Sequence, residues 1–303
     1  MLSILLYHGV APRTDSGIFN YRKKFVTPES FDKHISYLKK HYTLLDLDKA
    51  ARALQNGEEL PPYPLVITFD DGYKNTLEFA APILQKHNAP ATIFVVTNYI
   101  DKKIPLWVDR LEYVIGHGKD YANKTYAEKI AVDDKIRNEL KTMTTHKREE
   151  RLQQLEQENK ISLTSSEETL YAPISWKEMV VASEDGINFG AHTENHPILT
   201  KLPIEEARTE IGASLRALER HVKKSSKVFA YPNGQPSDYN EDIKRSVKEL
   251  GFIGALTTVP GTSTIDTDMY ELKRYTMDGT NSMISFTMRL TGTLDWFRKL
   301  LKI

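Results

Sequence analysis

The amino-acid sequence predicts an α/β fold of repeating strand–helix units closed into a barrel of parallel strands. Three observations carry this expectation. Short runs rich in Ile, Val, Phe and Tyr alternate with segments of helical periodicity. Several of those runs hold few charges, as strands covered on both faces must. Each run also ends in polar residues, and in a barrel of parallel strands that end carries the chemistry.

The candidate strands are, in order, Ser3–Tyr7, Tyr42–Leu45, Leu65–Phe69, Thr92–Val96, Ile187–Ala191, Val228–Tyr231, Ile253–Leu256 and Glu271–Tyr275. Between them, Pro28–His41, Leu47–Gln55, Tyr73–His87, Ile204–Val222 and Asp238–Leu250 read as helices. From about Asp101 to Leu170 the chain becomes dense in Lys, Glu, Gln and Asn, including HKREERLQQLEQENK at His146–Lys160. This stretch reads as a solvated helical insertion between two barrel strands, or more sharply as a lid over the substrate groove. The tail from Ser282 to Ile303 sets Leu290, Leu294, Trp296, Phe297, Leu300 and Leu301 among basic residues. An amphipathic helix packed on the barrel is expected, with attachment to an anionic membrane surface as the alternative. With no internal repeat and no Gly/Ser linker, residues 1–303 are expected to form one domain with an insertion.

Composition narrows the function. Lys plus Arg and Asp plus Glu both number 41, so the long-range field of a nucleic-acid binder is missing and no nucleic-acid partner is expected. There is no cysteine, which leaves His, Asp and Glu for any metal site. The opening MLSILLYHGV lacks a basic start and is too short for a secretory core, and no stretch has the roughly 18 apolar residues of a membrane span. A cytoplasmic protein is expected, peripheral to the inner membrane face if the tail attaches there.

Four segments carry candidate chemistry. In VITFDDGY, Val66–Tyr73, a buried strand runs into Asp70 and Asp71, then Gly72 permits a tight turn. Adjacent side chains at a strand end point in different directions, so one carboxylate can bind a cation while the other accepts a proton. In NFGAHTENHPIL, Asn188–Leu199, His192 and His196 leave a strand on a loop marked by Pro197. Two imidazoles and an Asp make a three-ligand catalytic metal site with open positions. VFAYPNGQ, Val228–Gln235, is a shaped turn whose backbone N–H groups can face a ligand, and LLYHGV places Tyr7 and His8 at the end of the first strand.

Together these motifs resemble the polysaccharide deacetylases of carbohydrate esterase family 4, the NodB homology domain. TFDDG (Thr68–Gly72), HTENHP (His192–Pro197) and YPNG (Tyr231–Gly234) match its first three motifs in order, and the resemblance spans most of the chain outside the insertion and the tail. It implies a distorted, seven-stranded (β/α) barrel related to the TIM barrel. It also implies a metal held by Asp71, His192 and His196, Asp70 as the base that activates water, and an oxyanion donor from the turn after the third motif, here the backbone N–H of Asn233.

The sequence departs from the family pattern twice. The third motif usually carries an Arg and an aromatic residue, where this chain has Ala230 and Asn233. The usual late histidine is missing, since no His follows His221. A subgroup similar to the poly-N-acetylglucosamine deacetylases has a permuted motif order that begins with YH, and LLYHGV matches that start. His8 is therefore the candidate general acid, and Arg274 in LKRYTM the candidate replacement for the missing Arg, orienting Asp70.

The resemblance implies hydrolysis of the N-acetyl group of an N-acetylhexosamine unit in a polysaccharide or lipid-linked saccharide. An O-acetyl esterase and a catalytically silent glycan-binding barrel are the alternatives. The cofactor expected is one divalent transition metal, Zn2+ first, with Co2+, Ni2+ and Fe2+ also compatible with two His and one Asp.

Overall fold

A computed structural model describes residues 1–12, 20, 23–163 and 169–293. The first half holds β1 (Ser3–Tyr7), β2 (Gly9–Val10), β3 (Phe25–Val26), α1 (Pro28–His41), β4 (Thr43–Leu44), α2 (Leu47–Asn56), β5 (Pro64–Phe69), α3 (Ala81–Lys86) and β6 (Ala91–Val95). Helices α4 (Thr97–Asp101), α5 (Trp107–His117), α6 (Tyr126–Thr142), α7 (Thr145–Asn159) and α8 (Trp176–Glu184) follow. The chain then returns to the sheet with β7 (Ile187–Ala191), α9 (Ile204–His221), β8 (Val228–Ala230), α10 (Glu241–Glu249), β9 (Gly254–Leu256), β10 (Tyr275–Thr276) and α11 (Met283–Leu290).

The main sheet runs β10-β1-β5-β6-β7-β8-β9, every pair parallel, with short β4 beside the start of β5. Its ends meet, because Leu256 of β9 bridges Leu272 just before β10, and this curls the sheet into a distorted seven-stranded barrel. Alternation along the strands sorts the core into two layers. Leu5, Ile67, Ile93 and Phe229 pack outward under α1, α3 and α9, while Ile4, Val66, Phe94, Val228 and Leu256 fill the interior. Each such side chain contributes roughly 1.5–3 kcal/mol by leaving water. Helix α2 packs Leu47, Ala50, Ala51 and Leu54 against the interior group, and its Asp48 accepts from the Lys227 N–H at 2.7 Å and from Asn188 Nδ2 at 3.1 Å. That plug closes the barrel where its strands begin and leaves their C-terminal ends for the site.

Three sequence expectations change in detail. Tyr73–His87 is not one helix: a π turn over Thr76–Ala80 precedes α3. Pro82 has no N–H to give the carbonyl of Glu78, and the wider turn takes up the break. The strand expected at Glu271–Tyr275 is split, with Leu272 bridging β9 and only Tyr275–Thr276 pairing with β1. The expected helix over Ser282–Ile303 is seen at Met283–Leu290, after which Gly292 adopts φ +69°; Leu294, Trp296, Phe297, Leu300 and Leu301 lie outside the described residues. The charged segment folds as α5, α6 and α7 around an apolar cluster of its own that includes Trp107, Leu111, Leu140 and Leu152. Among the described residues, no helix is long and apolar enough to cross a membrane.

Candidate active site

The ends of β1, β5, β7 and β8 bring His8, Asp70, Asp71, His192, His196 and Asn233 to one cavity of about 300 Å³. The backbone there is bent to its limits. Asp71 (φ +75°), Thr193 (φ +68°), His196 (φ +53°) and Asn233 (φ +64°) all occupy the left-handed region, at a cost of roughly 1–2 kcal/mol each. Gly72 (φ +82°) completes the first corner, where a Cβ would stand 3.0 Å from Val95 Cγ1.

Other contacts hold these corners in place. The Asp70 N–H donates to Tyr7 O at 2.9 Å, and the His196 N–H to Thr193 Oγ1 at 3.0 Å. Glu210 of α9 accepts from the N–H groups of Glu194 (3.1 Å) and Asn195 (2.8 Å) and from Asn195 Nδ2 (2.6 Å). The Asn98 N–H donates to Glu194 O at 2.9 Å, so the histidine loop is gripped from two sides.

Asp71, His192 and His196 form a buried group whose ligand atoms lie within 4.8 Å of one another. Asp71 Oδ1 is 3.8 Å from His192 Nε2 and 3.5 Å from His196 Nε2. Atoms each about 2.0–2.2 Å from one zinc ion stand roughly 3–4 Å apart, so the spacing fits a single cation. His192 Nδ1 lies 2.7 Å from Ala230 O, which can only accept, so Nδ1 donates there and Nε2 is the ring nitrogen turned toward Asp71. Burial, with His192 beside it, pushes the His196 ring well below the ordinary histidine pKa, so it stays neutral. Burial raises the Asp71 carboxyl, with His8 and Lys24 opposing, and a cation at this point would offset that burial. These residues fit a divalent metal.

Asp70 faces the same cavity but is held differently. Arg274 Nη1 and Nη2 reach its two oxygens at 2.8 and 2.7 Å, while Arg274 Nε donates to Thr257 O at 2.8 Å. Burial pushes the Asp70 carboxyl up, but Arg274, His192 and His8 together outweigh it and the carboxyl sits below its ordinary value. Each oxygen keeps a lone pair beyond the one Arg274 uses. The Arg274–Asp70 contact is thus a buried fork and not a surface ion pair.

The same cavity is lined by His8, whose Nδ1 is 3.1 Å from Asp278 Oδ1. Burial alone would lower its pKa; Asp278, then Asp71 and Asp70, raise it to about 9. Asp278 escaped the sequence reading. Register explains its place, since β1 and β10 pair Leu6 with Thr276, and two residues further on His8 faces Asp278. Asn233 is half-buried in the wall, its carbonyl taken by Thr258 Oγ1 at 2.7 Å and its N–H engaged by no described residue. Val108, Glu112, Arg137 and Lys141, from α5 and α6, also line the cavity, so the charged segment walls the site. A roomier groove of about 570 Å³ between α3 and α8 contains no histidine, so side-chain chemistry and not volume marks the site.

Known proteins resemble this chain over most of its length. The polysaccharide deacetylase family matches residues 57–255, and the chain belongs to that family and is thereby a hydrolase. YxkH of Bacillus subtilis, named for the same family, is 23% identical over 274 residues, covering 90% of this chain and 70% of its own length. The poly-β-1,6-N-acetyl-D-glucosamine N-deacetylase of Staphylococcus epidermidis is 23% identical over 260 residues, covering 86% of this chain and 70% of its own. Among solved structures, the Streptococcus pyogenes deacetylase PplD in complex with acetate superposes with a TM-score of 0.66 at 20% identity, over 95% of this chain and 97% of that one. That last likeness speaks for the fold.

Proposed function

We propose that this protein is a metal-dependent N-deacetylase that hydrolyses the carbon–nitrogen bond of an N-acetylhexosamine unit in a polysaccharide or lipid-linked saccharide and releases acetate. The observation that carries the reading is one cavity lined by Asp70 on its Arg274 fork, His8 on Asp278 and the Asp71–His192–His196 group.

Asp71, His192 and His196 would hold the cation, Zn2+ by preference for two imidazoles and a carboxylate, with Co2+, Ni2+ or Fe2+ as substitutes. Such a cation supplies Lewis acidity, making water easier to deprotonate and polarising the amide carbonyl. Asp70, kept ionised by Arg274, takes the proton of the attacking water. The Asn233 N–H is free to donate to the oxygen that gains charge in the tetrahedral transition state. His8, whose pKa Asp278 raises, delivers a proton to the departing amine. Arg274 acts through Asp70 and is a positioning residue.

The test is acetate release and mass spectrometry on N-acetylated oligosaccharides and lipid-linked sugars. Loss of one acetyl group from nitrogen, abolished by chelation and by Asp70→Asn, is expected. Loss only from O-acetylated glycans would make the protein an esterase, and binding without any release would make it a glycan-binding barrel.

A further inference from the structure

A second cavity, of about 380 Å³, adjoins the first; small-molecule sites span about 300–1,000 Å³. Trp107 lines this cavity and the next residue, Val108, the catalytic one, and the Trp107 ring centroid lies 5.9 Å from the guanidinium of Arg137, a residue of the catalytic wall. Asn195, which also lines it, immediately precedes His196.

Arg148 of α7 is set in this wall. It is 3% exposed, with its guanidinium 4.9 Å from the Trp107 ring centroid. Among the described residues its guanidinium makes neither a hydrogen bond nor an ion pair. Its neighbour Arg110 shows the contrast, because Arg110 is spent on both oxygens of Glu149 and both of Glu156. That two-carboxylate pair also balances the charge of the Arg148 guanidinium, which has no acceptor of its own among the described residues. Burial pulls the Arg148 pKa down to about 10, with Glu149 and Glu210 opposing, so it remains a cation at neutral pH. The Trp107 Nε1 is a second buried donor with no partner among the described residues. A buried guanidinium whose N–H groups meet no acceptor is costly unless a ligand supplies one.

We propose that this cavity binds an anionic substituent, a carboxylate or a phosphate, on a sugar next to the one that loses its acetyl group, with the Arg148 guanidinium and the Trp107 N–H as donors to its oxygens. The proposal rests on the deacetylase reading for the identity of the neighbouring sugar, while the anion site stands on its own geometry. Guanidinium is the side chain best matched to either group, since its planar fork meets two oxygens at once. The Asn98, Asn195 and Gln153 amides on the same wall offer partners for sugar hydroxyls, and Ile104, Pro105 and Leu106 an apolar face for the ring.

The experiment is calorimetric titration of the metal-free full chain at low salt with inorganic phosphate, glucuronate and, as a neutral control, glucose. Saturable binding of phosphate or glucuronate but not glucose is expected, weakened at least tenfold in Arg148→Met and unchanged in Asp71→Asn. Gln153 is exposed, so Gln153→Glu keeps the fold and should weaken the same binding by repulsion, even if Arg148→Met does not fold. A preference for phosphate supports a phosphate-bearing glycan, and a preference for glucuronate supports a uronic acid. No anion binding, or binding untouched by both variants, overturns the proposal. Because turnover is not measured, loss of the deacetylase reading and loss of the anion site give different results.

Discussion

Arg274 and Asp70 join two distant parts of the barrel: the carboxylate follows β5, the guanidinium precedes β10, and β1 runs between them. Both are buried, and the Thr257 carbonyl fixes the third edge of the guanidinium. A lysine can match the charge but not the planar fork. Arg274→Lys should therefore fold and lose turnover. Arg274→Met leaves a buried carboxylate unpaired, a loss of about 3–5 kcal/mol. Urea unfolding and kcat measured on the same samples check both outcomes, and full activity in the lysine variant would remove the positioning role.

The ligand group gives the next expectation. His192→Ala and His196→Ala should each abolish stoichiometric divalent metal, whereas Asp70→Asn should keep the metal and the fold yet lose most turnover. Elemental analysis of the purified variants decides. Metal loss in Asp70→Asn together with activity in Asp71→Asn would reverse the roles of the two carboxylates.

Much of this site was legible in the sequence because its parts are local. A strand running into DDG, or a strand running into two histidines and a proline, shows its chemistry within a dozen residues. The fold was legible for the same reason, since strands buried on both faces leave charge-poor runs. The Arg274 fork could be named as a candidate but not placed, because its geometry depends on how the barrel closes. Asp278 was missed altogether: its meaning comes from the register of β10 against β1, across most of the chain. Arg148 read as one charge in a solvated helix, and only the packing of α7 on Trp107 buries it.

Glu210 lies outside the catalytic cavity and still controls it. Its carboxylate accepts three hydrogen bonds from Glu194 and Asn195, and so sets where His196 stands. Removing such outer partners commonly lowers metal affinity about 10–100-fold. Glu210→Ala should fall in that range, and Glu210→Gln, which keeps one acceptor oxygen, should fall less. Competition with a coloured chelator measures both, and unchanged affinity in Glu210→Ala would show that Asn98 and Thr193 hold the loop unaided.

The proton donor gives the prediction with the clearest sign. An acid must be protonated to act, so activity that depends on His8 is present below its pKa and lost as pH rises through it. In the metal-free protein His8 should titrate near pH 9, because Asp278, Asp71 and Asp70 outweigh its burial. Asp278→Asn removes the main anionic neighbour, so the titration should move down, and the alkaline limb of the kcat profile should move the same way. A cation bound by Asp71 offsets part of the same field, so in the loaded enzyme that limb falls at or below the metal-free value. His8→Ala should keep metal and fold while lowering kcat on an N-acetyl substrate roughly 10²–10⁴-fold, the usual contribution of a general acid. An O-acetyl ester, whose alkoxide leaves more readily than an amine, should suffer less. NMR titration of the His8 ring and pH–rate profiles of the three proteins check this together. A His8→Ala enzyme with near wild-type turnover on the amide would mean that the proton comes from water or from another side chain, and Asp278 would then be a partner of structure alone.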